Sequence, residues 1–264
     1  MKKNWKVLTA TAAMVVIVAV AVVLINFRPN EQSAAPQPEP DNGMVAGKLG
    51  FPVSKLNIGE GGTKTAADGK TPIGYSGTCD SAVQAAANYT PVLADVNLKT
   101  WETQRATLNS LAVPGPWLDT VLLPGDSVTD VVAQGTELKT FAGGWMEQTD
   151  VKAGGMHRMV SCEPKKSAVV QVFFGALGTS DTLPQGYFGT RTMELTWKGD
   201  WKISNVVTGV NDADLVSRLK DKGPSGGLGG TPSGNIPPLD ESIVARYFKD
   251  LRREGWAEYA NATR

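Results

Sequence analysis

Residues 7–25 read Val-Leu-Thr-Ala-Thr-Ala-Ala-Met-Val-Val-Ile-Val-Ala-Val-Ala-Val-Val-Leu-Ile, and no charge occurs between Lys6 and Arg28. A helix over this run is roughly 29 Å long at about 1.5 Å per residue, close to the hydrocarbon thickness of a bilayer. Lys2, Lys3 and Lys6 precede it, and only Arg28 follows closely. The positive-inside rule then keeps the N-terminus in the cytoplasm and puts everything after Arg28 outside. The alternative is a cleaved signal peptide, whose apolar core usually runs about 7–15 residues to a small-residue cleavage site. Here the run is longer. Ala19-Val20-Ala21 lies inside it, and Ser33-Ala34-Ala35, followed by Pro36, is the downstream candidate. No Cys stands beside the run to carry a lipid. The reading is an uncleaved single-pass anchor, so the membrane is the first expected partner.

An extracytoplasmic compartment changes how the cysteines are read. Cys79 and Cys162 are the only two, and an even pair outside the cytoplasm is most simply one disulfide. The alternative is two buried thiols. Two cysteines and the single His157 do not make a tetrahedral metal set without carboxylates, and no ligand spacing is visible. No metal and no cofactor is expected. Lys plus Arg is 26 and Asp plus Glu is 26. This balance gives no basic excess for nucleic acid, so no direct nucleic-acid binding is expected.

Composition divides the chain into five stretches. Residues 1–28 are the cytoplasmic tip and anchor. Residues 29–74 are a spacer rich in Pro and Gly, with Pro29, Pro36, Pro38 and Pro40 near its start. Gly59-Glu60-Gly61-Gly62 lacks the Gly-Lys-Ser/Thr ending of a phosphate loop and reads as plain loop. Residues 75–220 are the globular domain and 221–238 a Gly-rich linker. Residues 239–264 hold an amphipathic helix, about 240–254.

Within the domain, Asp80 or Ser81 can cap a helix to about Ala94, with Val83, Ala86, Ala87, Thr90 and Leu93 on one face and a break at Pro91. A second helix carries Leu98, Trp101, Arg105, Leu108 and Ala112 and ends at Pro114 and Pro116. A third fits 127–134, capped by Asp126 and stopped by Gly135, with Val128, Val131 and Val132 on its buried side. The segments 137–149, 156–163, 167–177, 187–198 and 201–208 then read as strands. Both faces of 168–174 are apolar, which marks a central strand. Met193, Leu195 and Trp197 alternate with polar residues, and Lys198-Gly199-Asp200 is the turn to a strand beginning at Trp201. Helices followed by an antiparallel sheet make an α+β pattern.

The run Leu195-Thr196-Trp197-Lys198-Gly199-Asp200-Trp201-Lys202-Ile203 resembles the closing hairpin of nuclear-transport-factor-like (cystatin-like) cone folds. With the anchor, the spacer and the Ala-rich helix at 82–94, the chain is similar to a group of actinobacterial single-pass membrane proteins. These are of unknown biochemical function, and some are linked to conjugative elements. The resemblance implies helices packed on a curled antiparallel sheet, held outside a bacterial cell membrane. It transfers no catalytic residue.

The residues themselves offer little chemistry. His157, on Met156-His157-Arg158-Met159-Val160, reads as a surface or cone-mouth residue. A Cys–His nucleophile pair would need a free cysteine. Ser127, Asp119, Asp126 and Asp130 read as helix-start or surface residues. Trp101, Trp117, Phe141, Trp145, Phe173 and Tyr187 are candidates to line a pocket or simply to fill a core. No catalytic residue is assigned. Ile243, Val244, Tyr247, Phe248 and Leu251 form the apolar face of the last helix. That face either packs back on the domain or docks a protein partner. The expectation is a non-catalytic scaffold or assembly component of an envelope complex, with conjugative transfer as its setting. The alternative is an envelope accessory protein that binds a ligand, for example in lipid uptake; the ligand itself is unspecified.

Overall fold

The computed structural model describes residues 46–93, 100–129, 146–179, 185–208, 235–248 and 253–264. The anchor at 7–25 and most of the linker at 221–238 lie outside the described residues, as do Leu98, Asp130, Phe141, Trp145 and Leu251. The chain divides into two compact units, Met1–Asn42 and Gly43–Arg264, and the second holds all the described structure. Among the described residues, no helix is long and apolar enough to cross a membrane.

The unit is α+β. A small antiparallel hairpin of β1 (Lys64–Thr65) and β2 (Pro72–Ile73) precedes the first helix. Helix α1 (Cys79–Tyr89) starts one residue before the expected caps. Thr78 is extended and its Oγ1 accepts from the Ser81 amide at 3.2 Å, the arrangement that satisfies a free N-terminal donor. Pro91 cannot extend the helix and opens a 3-10 turn over Pro91–Leu93. Helix α2 (Trp101–Leu111) is capped by Thr100 in the same way. Helix α3 spans Pro116–Thr129 and so begins well before the expected 127, while 130–134 lie outside the described residues. The prolines that read as terminators include one at the first helical position, where a missing N–H costs nothing. Asp126 is therefore not an N-cap. Its Oδ1 accepts from Trp101 Nε1 and Arg105 Nε, both at 2.9 Å, and ties α3 to α2.

The larger sheet has six strands: β3 (Met146–Asp150), β4 (Met156–Glu163), β5 (Ser167–Thr179), β6 (Gln185–Trp197), β7 (Trp201–Thr208) and β8 (Trp256–Glu258). Between β3 and β4 lies the single turn of α4 (Val151–Gly154). Strand order is β7-β6-β5-β4-β8, with β3 also paired to β5, and every pairing is antiparallel. As its composition implied, β5 is central. β4 covers one end of its edge, Ser167 to Phe173, and β3 covers the other, Gly175 to Thr179. Between β6 and β7, Gly199 takes φ 77°, which suits the tight turn.

The sheet has a core on each face. On one face Ala168, Val170, Val172, Phe174 and Ala176 of β5 meet α1, α2 and α3. Ala82, Ala85, Ala86 and Ala87 are fully buried, and their small side chains let α1 lie close to the strands. On the other face Phe173 and Phe188 meet Phe51, Met156, Leu239, Val244, Phe248 and Trp256. The last helix, α5 (Glu241–Tyr247), lies over this second core.

One expectation changes here, and one of two open readings is met. Residues 46–74 do not stand off as spacer. Phe51 is buried in the second core and Val53 bridges Glu258 in parallel register. The Ser54 amide donates to Glu258 O at 2.8 Å, and Glu258 N donates to Pro52 O at 2.8 Å. The amphipathic helix follows the packed-back reading. A stripe of valine and aromatic residues finds apolar partners 50–200 residues away in sequence and is covered by its own domain. Finally, Trp197 is only half-buried, whereas Met193 and Leu195 on the same face are buried. It lies at the strand end and packs edge-on against Trp201 at 5.3 Å.

Candidate functional site

The buried polar clusters among the described residues include three that could carry chemistry. The first joins β3 to β6. Arg191 NH2 meets Glu147 Oε1 at 2.6 Å, with both side chains largely buried. Thr149 Oγ1 donates to Glu147 Oε1 at 2.8 Å, and Tyr187 OH donates to Glu147 Oε2. Arg191 NH1 donates to Thr90 O at 2.9 Å, and the guanidinium lies 4.4 Å over the Phe174 ring. Burial alone would favour the neutral carboxyl of Glu147. The Arg191 charge and the bonds from Tyr187, Thr149 and Arg191 outweigh it and hold the group below the usual carboxylate range. An ionised carboxylate with both oxygens engaged is a poor proton acceptor, so the cluster pins β3, β6 and the end of α1 together.

The second cluster surrounds His157, which is buried rather than at a surface or mouth. Its partner strand β8 and the segment at 52–58 cover the β4 edge that the sequence left open. His157 Nε2 is 3.2 Å from Ser54 Oγ, and its ring lies 4.6 Å from the Tyr259 ring. A Ser–His pair invites comparison with a hydrolytic dyad. Ser54 Oγ, however, donates to Glu258 O at 2.9 Å and accepts from Leu56 N at 3.3 Å. The hydroxyl proton is thus committed to a carbonyl, and the ring must donate rather than accept. Burial pushes the His157 pKa down to about 4, which makes it a weak base. Its Nδ1 has no hydrogen-bond partner to orient the ring. The geometry fastens strands and does not activate a nucleophile.

The third cluster is Asp200, in the β6–β7 turn. Its carboxylate accepts from the amides of Gly74 at 2.9 Å, Tyr75 at 2.8 Å and Trp201 at 2.9 Å, and pairs with Lys202 Nζ at 3.1 Å. Lys202 Nζ also donates to Ser110 O at 2.6 Å. One carboxylate thus joins the chain before α1 to the hairpin and, through Lys202, to α2. The turn residues were legible, but not this clamp, because the Gly74 and Tyr75 amides lie 126 and 125 residues away.

The cysteines are where the sequence put them. Cys79 and Cys162 form a disulfide with Cα atoms 5.9 Å apart, joining the start of α1 to β4. Of the two readings of the last helix's apolar face, packing back on the domain is the one the described contacts show. Val244 and Phe248 are buried against the domain, and Ile243 and Tyr247 are partly buried there. The side chains that would greet a partner already face Phe51, Phe173 and Phe188. Of the aromatic candidates, Trp101 and Tyr187 lie with the first core and Phe173 with the second, so they do not line one pocket. The Gly59–Gly62 loop is held on α1, with Asn88 bonded to Gly59 N and Glu60 O. An open depression beside it is bordered by Thr63, Lys64, Thr65, Lys70 and Pro72, with no carboxylate or imidazole on its lining to act as a base. Among the described residues no group of three His, Cys, Asp or Glu is placed to hold a metal. No family model, no curated protein and no solved structure matches this chain.

Proposed function

We propose that this chain is a membrane-anchored scaffold or assembly component of a bacterial envelope complex, without catalytic turnover. The anchor at 7–25 keeps the N-terminus in the cytoplasm and the α+β unit outside. The setting that fits its resemblance is a conjugative transfer apparatus, with the domain as a nuclear-transport-factor-like cone. The cone reading rests on the hairpin at 195–203 and the order of helices before strands. The single observation that carries the functional reading is the uncharged run at 7–25 followed by a domain with a disulfide between distant cysteines. The internal pairing of Glu147, His157 and Asp200 supports a role by contact, because each group is spent on holding the fold. Protease added to spheroplasts, with native-membrane co-purification alongside, tests this. The domain is expected to be digested before lysis and to bring other envelope proteins with it. A domain that survives until lysis contradicts the orientation, and recovery of the chain alone contradicts the scaffold.

A further inference from the structure

We draw no further inference here: the strongest candidate, the buried Gln171 and Thr190 side chains on the second face of the sheet, whose Oε1 and Oγ1 atoms have no hydrogen-bond partner, carries nothing because the described residues show neither a ligand-sized cavity beside them nor what covers that part of the face.

Discussion

The two faces of the large sheet are closed in different ways. The first core is built mostly from chain that runs continuously from α1 to α3 and from neighbouring strands. The second is closed by pieces from opposite ends of the unit, Phe51 on one side and Leu239 to Trp256 on the other. A face covered by local sequence announces itself as amphipathic helices. A face covered from afar leaves its lids looking like spacer and tail.

The largest expected effect is removal of 235–264. It strips Val244, Phe248 and Trp256 from the second core and β8 from β4. Losing a single buried Phe or Trp side chain costs about 3–5 kcal/mol, so the sum rivals the whole stability of a typical domain. The truncated unit is expected to lose its cooperative thermal transition by circular dichroism. A sharp melt within a few degrees of the intact chain would show that the second core is dispensable.

Next in size are the paired tryptophans of the hairpin. Trp201 is fully buried, and its Nε1 donates to Ser81 Oγ at 3.1 Å and Thr78 O at 3.2 Å. Trp201→Ala is expected to cost about 3–5 kcal/mol in denaturant melts, and half-buried Trp197→Ala only about half as much. Equal losses would mean that the two rings share one environment.

Reduction of Cys79–Cys162 comes close behind. The bond spans 83 residues, and loop-closure entropy assigns such a cross-link roughly 4 kcal/mol. Since the staple lies on the first-core side, reduction should lower the melting temperature, with the α1 amides exchanging earlier than those of β8. The reverse order would put the weak point on the other face.

Much of the first face was legible. The first helix begins two residues from its expected cap, the segments 156–163, 167–177, 187–198 and 201–208 fall close to β4, β5, β6 and β7, and β5 is central because both its faces are apolar. What escaped were non-local contacts. The Asp200 clamp, the Glu147–Arg191 pair and the seat of His157 depend on residues distant in sequence, and neither periodicity nor spacing encodes such partners. The α3 error was local: Pro116 stands where a proline can start a helix as well as end one. Gly47 had no sequence signal, yet a side chain there would run into the Glu258 carboxylate.

The smallest effects are those of pH. Folding depresses the His157 pKa from 6.5 to about 4, so the unfolded chain binds the extra proton first. Stability should therefore fall as pH drops from about 6.5 towards 4, by at most roughly 3 kcal/mol, and be level above that window. His157→Asn should flatten this slope. Glu147 acts lower. Its depressed folded pKa contributes stability above the ordinary carboxylate range and loses it as pH falls further. A slope between pH 6.5 and 4.5 that is unchanged in His157→Asn would place the titrating group elsewhere.

The central claim is that residues 253–264 are an integral edge of the sheet. Native-state hydrogen exchange reads this directly at the amides of Glu258 and Ala260, which donate to Pro52 O and Leu56 O at 2.8 Å each. Their opening free energy should match that of β5 amides such as Val170 and Val172, and should rise and fall with global stability on adding denaturant. Exchange of Glu258 and Ala260 at nearly the unprotected rate, with β5 still protected, would contradict the account.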